Sequence, residues 1–131
     1  MDNDRNNHSK YLLMYHIIFV CKYRRNALIG FGNRLKDILI IIASKSDFDI
    51  VEMECNKDHI HILVKSKPKI SILSVIRKLK QESTYQMWKH HEKHLEKYYW
   101  NERTLWSDGY FCSTIGNVSK EIVTEYIRNQ G

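Results

Sequence analysis

The segment Tyr11–Cys21 (YLLMYHIIFVC) restricts the possible folds of this chain more than any other stretch. It is β-branched, aromatic and almost wholly apolar, so it reads as a central strand covered on both faces. His16 interrupts the run, which is also too short to cross a bilayer.

The remaining pattern supplies what such a strand needs. Lys22–Gly30 is a basic connection, and from Gly32 the residues Leu35, Ile38, Leu39, Ile42 and Ala43 follow the spacing of an amphipathic helix. Phe48–Cys55 alternates as a strand, with Phe48, Ile50, Glu52 and Glu54 on one side and Asp49, Val51, Met53 and Cys55 on the other. Asn56–Asp58 turns the chain into a second strand, His59–Lys65, giving a hairpin. Pro68 and Ser71 mark the start of a long helix with Ile72, Leu73, Ile76 and Leu79 on its buried stripe, and its far end, Lys89–Glu96, reads as solvated. After an aromatic connection, Tyr98–Trp106, the segment Tyr110–Ile115 reads as the last strand. Ser119 is placed to N-cap a final helix, with Gly131 beyond its end. The fold expected is α+β: a ferredoxin-like β-α-β-β-α-β antiparallel sheet with an additional C-terminal helix.

Composition sets the class. The 131 residues suit one domain, residues 1–131, with a polar and flexible stretch at 1–10. With 43% hydrophobic and 27% charged residues, disorder and fibrous repeats are excluded as descriptions of the whole chain. Net charge is +6, which favours a polyanionic partner. Cys21, Cys55 and Cys112 are far apart and odd in number, which argues against a disulfide scaffold or zinc ribbon. No signal peptide opens the sequence, so a soluble cytoplasmic protein without membrane association is expected.

The sharpest chemical signal is His59-Ile60-His61 on a predicted strand. Positions two apart project from the same face, so both imidazoles can reach one divalent ion while Ile60 points to the core. A third ligand must come from elsewhere. Gln130 offers a carbonyl oxygen suited to Mg²⁺ or Mn²⁺, and Tyr126, four residues earlier, shares its helix face. Tyr126 could attack a metal-polarised phosphodiester. It also belongs to the apolar stripe Ile122, Val123, Tyr126, Ile127, and on spacing alone a core aromatic is the favoured reading. His16 either borders the site or takes a hydrogen-bonded structural place, the latter being the simpler expectation. His91 and His94 have helical spacing for a second metal pair, but a solvated face accounts for them. Strand-edge exposure likewise accounts for Glu52 and Glu54. Lys22, Arg24 and Arg25, then Arg34 and Lys36, and Arg77, Lys78 and Lys80 on the long helix are candidate phosphate contacts. Tyr23, Trp100 and Trp106 are candidates for stacking on unpaired bases.

Four segments carry a family resemblance. They are Tyr15–Phe19 followed by Lys22-Tyr23-Arg24-Arg25; Asp58-His59-Ile60-His61-Ile62-Leu63; Trp106–Phe111 with Ser113–Gly116; and Tyr126-Ile127-x-x-Gln130. Together, and in this order, they resemble the small single-tyrosine HUH transposases of the insertion-sequence 200/605 family. The resemblance implies a metal-dependent nuclease and strand transferase acting on single-stranded DNA ends. His59, His61 and Gln130 would be ligands of Mg²⁺ or Mn²⁺, Tyr126 would be the nucleophile, and Asp58 matches a position that can orient His59. It also implies recognition of subterminal DNA hairpins, and homodimers in which the tyrosine helix can complete the partner's site. The apolar segment Tyr110–Ile115 suits a dimer edge. Two other readings stand beside this one: an HUH replication or relaxase nickase, and a non-catalytic ferredoxin-like nucleic-acid-binding protein.

Overall fold

The computed structural model describes residues 13–115 and 120–130. The elements run β1 (Leu13–Val20), a 3-10 turn (Lys22–Arg24), α1 (Gly32–Ser44), β2 (Phe48–Cys55), β3 (His59–Ser66), α2 (Ile72–Glu96), β4 (Phe111–Thr114) and α3 (Lys120–Arg128). The strands form one antiparallel sheet of order β2-β3-β1-β4, which is the expected ferredoxin-like arrangement with one added helix. The expected flexible 1–10 segment, Tyr11, the Ser119 cap and Gly131 lie outside the described residues.

β1 is central and covered on both sides, as its composition demands. Ile17, Phe19 and Cys21 face one layer, Ile18 and Val20 the other, and all five are fully buried. The first face receives Leu35, Leu39 and Ile42 from α1 and Val75, Ile76 and Leu79 from α2. Burying each such aliphatic side chain is worth about 1.5–3 kcal/mol, so this layer is the main source of stability. Where α1 begins, a Cβ at Gly32 would lie 3.3 Å from Cys55 Sγ, so glycine permits the close approach of α1 to β2. The second face is covered more thinly, by Phe111 of β4 and by Tyr126 and Ile127 of α3. That thinner side carries the candidate site.

Three expectations need correction. The ladder between β2 and β3 shifts register between Ile50 and Glu52, so Val51 is an extra residue in a bulge. The bulge sends Phe48, Ile50, Met53 and Cys55 to the core, whereas unbroken alternation would have mixed Glu52 and Glu54 with Phe48. On α2, Leu73 is 44% exposed and Val75 takes the buried position, because the stripe runs through 72, 75, 76 and 79 and Leu73 lies off its axis. The far end of α2 is also less solvated than its composition suggests. Leu95 is fully buried, His94 Nε2 bonds the Ala27 carbonyl at 2.6 Å, and the His94 ring stacks on Phe31. The backbone leaves helical geometry at His91, whose ring meets the edge of Phe31. His91 and His94 therefore serve packing.

Candidate active site

The alternation of β3 does what its sequence requires: Ile60, Ile62 and Val64 are fully buried, while His59 and His61 share the opposite face. Their ring centroids are 5.1 Å apart. Each imidazole has its Nδ1 held. His59 Nδ1 lies 2.8 Å from Asp58 Oδ1, and His61 Nδ1 lies 3.0 Å from His16 Nε2. Fixing Nδ1 in this way orients the ring and leaves Nε2 as the coordinating atom, a common arrangement around metal-bound histidines. His59 Nε2 faces the exposed Asn56 amide at 3.1 Å, a contact that a metal would replace. Burial first, then His59 and His16, holds His61 down at about 4, so its imidazole is neutral at neutral pH and can donate a lone pair. The donor chemistry fits Mg²⁺ or Mn²⁺ only in part, because two imidazoles need an oxygen ligand beside them. Among the described residues no group of three or more His, Cys, Asp and Glu is placed to hold a metal.

His16 thus borders the site instead of taking a purely structural place. Its ring stacks on His61 at 5.1 Å, and burial lowers its pKa. With His61, Glu52, Glu54 and Ile115 it lines a cleft of about 510 Å³. The Val51 bulge turns both carboxylates toward this cleft, and Glu54 stands directly across the ladder from His61.

Tyr126 reaches the same face by a different route. It packs with Ile127 on Ile18 and Val20, and these two residues are the cross-strand partners of His61 and His59. Direct partners in an antiparallel ladder share a face with Cβ atoms about 5 Å apart. The tyrosine helix therefore lies over the strand next to the histidine pair. The Tyr126 ring is 5.8 Å from that of Phe111, and its hydroxyl would be 3.7 Å from a Cβ at Gly109. That hydroxyl is buried with no hydrogen-bond partner in the described residues. Ser107 Oγ is equally unpartnered; it is near enough to pull the phenol pKa down a little, yet the pair falls outside hydrogen-bond geometry. Burial dominates and raises the phenol above its ordinary value. Gln130 sits in the turn that closes α3, with Nε2 donating to the Tyr126 carbonyl at 3.4 Å, which leaves Oε1 as its available oxygen. Tyr126 is thus a packing residue and a candidate nucleophile at once.

The basic residues divide by what they touch. Lys80 spends its three donors on the carbonyls of Ser107, Asp108 and Gly109, at 2.8, 3.1 and 3.0 Å, and so clamps the loop under the Tyr126 hydroxyl. Lys22 and Tyr23 both engage Glu102, and the Tyr23 hydrogen bond is the first cause of the lowered Glu102 pKa. Arg25 donates to the Tyr98 carbonyl. Arg24 contacts Asp58 and the end of α3. Tyr23 and Arg24 have φ of 59° and 51°, a left-handed geometry that costs a non-glycine residue roughly 1–2 kcal/mol. Arg77 is exposed and Lys78 is half-buried on α2. Of the aromatic candidates, Trp100 is 69% exposed, whereas Trp106 is buried and donates Nε1 to Ser83 Oγ at 3.0 Å. Trp106 is core.

Comparison with known proteins is decisive for the family. The family model described as Transposase IS200 like matches residues 9–130. The chain belongs to the IS200-like transposase family. Among curated IS200-like relatives, the transposase for insertion sequence element IS200 of Salmonella typhimurium is 34% identical over 124 residues, covering 94% of this chain and 80% of that protein. The ISDra2 transposase TnpA of Deinococcus radiodurans is 31% identical over 121 residues, covering 92% of this chain and 85% of that one. A crystal structure assigned as a transposase from Deinococcus radiodurans R1 superposes with a TM-score of 0.85 at 30% identity, covering 99% of this chain and 98% of the other. The fold is also that of a REP-associated tyrosine transposase solved with a REP hairpin, at a TM-score of 0.58 and 14% identity, over 97% of this chain and 68% of that one.

Sequence reasoning about this IS200-like transposase missed Lys80 as a loop clamp, Ser107 beside the phenol, and the inward contacts of Arg24. Lys80 and Arg24 read as candidate phosphate contacts, because backbone carbonyls and a carboxylate distant in sequence leave no mark in local side-chain patterning. His16 was open to detection, since it shares parity with Ile18 on β1. Among the described residues no helix is long and apolar enough to cross a membrane.

Proposed function

We propose that this IS200-like transposase cleaves and rejoins single-stranded DNA ends of an insertion sequence through a covalent link to Tyr126, as a homodimer that recognises subterminal hairpins. The observation that carries the reading is the packing of Tyr126 on Ile18 and Val20, the ladder partners of His61 and His59. Mg²⁺ or Mn²⁺, held by His59, His61 and Gln130, supplies Lewis-acid polarisation of the scissile phosphate when bound. Asp58 orients the His59 ring through Nδ1, and His16 does the same for His61. The Tyr126 hydroxyl gives up its proton and its oxygen bonds to phosphorus, while the bond to the 3′-oxygen of the preceding nucleotide breaks and that oxygen leaves as a 3′-hydroxyl. The 5′-phosphate stays on Tyr126. A 3′-hydroxyl from another DNA end then attacks this phosphotyrosine, restoring the phenol and the phosphodiester. The link preserves the phosphodiester energy, so no nucleotide hydrolysis is needed.

Phosphate-backbone contacts fall to Arg77 and Lys78 on α2 and to Lys22, Tyr23 and Arg25, where a phosphate would replace Glu102 and the Tyr98 carbonyl as partner, and exposed Trp100 offers a ring for an unpaired base. The test is incubation with single-stranded DNA from the ends of the element, with Mg²⁺, followed by denaturing electrophoresis. A protein–DNA adduct and a free 3′-end are expected from the native chain. No adduct is expected from Tyr126→Phe, and one that persists there rules Tyr126 out as nucleophile.

A further inference from the structure

Arg24 reads in the sequence as one of a run of phosphate-binding cations, yet its guanidinium is engaged by groups of its own chain. Nη1 donates to the Arg128 carbonyl at 3.2 Å, and Nε is 3.6 Å from Asp58 Oδ2. The other Asp58 oxygen, Oδ1, holds His59 Nδ1 at 2.8 Å. One planar fork therefore touches both the last residue of the tyrosine helix and the carboxylate that orients the first histidine.

Each end of the bridge has a physical reason. The last carbonyls of a helix have no partner within it, and a cation there also meets the negative end of the helix dipole. Arg128 is the last residue of α3, and Arg24 caps its carbonyl from 104 residues away in sequence. At the other end, Asp58 is anchored by its backbone as well, since its carbonyl accepts from Cys21 N at 2.8 Å. The Arg24 amide donates in turn to the Cys21 carbonyl at 2.8 Å, so β1, the 3-10 turn and the start of β3 are tied at one point. Arg24 holds this place with φ at 51°, beside Tyr23 at 59°. Two consecutive left-handed residues persist only where their surroundings fix them, and strain of this kind gathers at functional sites. The ion pair is partly solvated, with 41% of the Arg24 side chain and 19% of the Asp58 side chain exposed, so it adds little to global stability. Its consequence is positional.

We propose that Arg24 is a positioning residue that couples the seating of the tyrosine helix to the orientation of His59, and that it is not a phosphate contact. The assignment rests on Tyr126 as nucleophile and His59 as metal ligand, but its readouts do not require cleavage. Arg24→Asn tolerates the left-handed backbone, and Arg24→Gly removes its strain, so a loss shared by both comes from the side chain.

In both variants, amide exchange at Asn129 and Gln130, which close the α3 end by bonding Glu125 and Ile127 carbonyls, should accelerate by about tenfold or more. Mn²⁺ affinity by calorimetry should fall roughly tenfold, as when the partner of a metal-bound histidine is lost. Affinity for a single-stranded hairpin oligonucleotide should stay within about twofold, with an unchanged salt slope. Asp58→Asn should lower Mn²⁺ affinity similarly, and Arg24→Asn added to it should cost nothing more. Weaker hairpin binding with a salt slope lowered by about 0.7, and amide exchange as in the native chain, would make Arg24 a phosphate contact and overturn the proposal. Additive Mn²⁺ losses in the double variant would overturn it too. A native chain that forms no adduct overturns the proposed function alone, because exchange and Mn²⁺ binding still report on the bridge.

Discussion

At the scale of single residues, burial acts on two groups in opposite electrical senses. His61 is held neutral, at about 4 against an ordinary 6.5, because burial and two neighbouring imidazoles oppose its charged form. A folded-state pKa below the unfolded one means the unfolded chain binds the proton more readily. The stability this contributes is complete above pH 6.5 and is lost as pH falls toward 4. Thermal melts between pH 7 and 4 should therefore fall more steeply for the native chain than for His61→Gln; equal slopes would contradict it. The same substitution should weaken Mn²⁺ binding. Tyr126 is the opposite case, a phenol kept protonated by burial. Among the described residues its hydroxyl has no partner, so Tyr126→Phe removes an unsatisfied polar group and should leave the melting temperature equal or slightly higher while abolishing the covalent adduct. A clear drop in melting temperature would show that the hydroxyl holds a structural bond. The H-x-H spacing was legible because strand parity is a local property. The state of each ring was not, since it depends on neighbours from other strands.

At the scale of elements, the connection from Ser107 to Gly109 matters more than its length suggests. Lys80 bonds three successive carbonyls there, and this loop lies against the Tyr126 hydroxyl. Lys80→Met keeps the aliphatic stem and strands the carbonyl of buried Ser107, while water takes over at exposed Asp108 and Gly109, so it should lower stability by about 1 kcal/mol in urea titration. It should also loosen the seat of Tyr126, read as lost ring contact with Phe111 in nuclear Overhauser spectra. No change in either measurement would mean that the loop holds itself. The helix stripe of α1 could be read directly, because 3.6-residue periodicity over thirteen residues is unambiguous. The β2 faces could not, because one inserted residue reverses parity and nothing in FDIVEMEC marks Val51 as the insertion. Only pairing with β3 locates the bulge.

At the scale of the whole molecule, the sheet ends on one side in β4, an edge strand of four residues flanked by exposed Tyr110 and Ile115. Pairing of this edge with a second copy would cover it and bring two DNA ends into one assembly. Sedimentation without DNA should give a dimer, and a clean monomer at micromolar concentration would count against the pairing. The order of elements, the two-sided burial of β1 and the shared face of His59 and His61 follow from the sequence alone, since periodicity and apolar runs encode them locally. The fourfold motif match placed the family for the same reason: each segment is short and contiguous. Only the tertiary structure decided that Tyr126 lies over the ladder partners of those histidines, that Glu52 and Glu54 turn toward His61, and that Arg24 and Lys80 spend their charges inward. These depend on contacts between residues far apart in the chain, many of them to backbone carbonyls, which every residue carries and no side-chain pattern reveals.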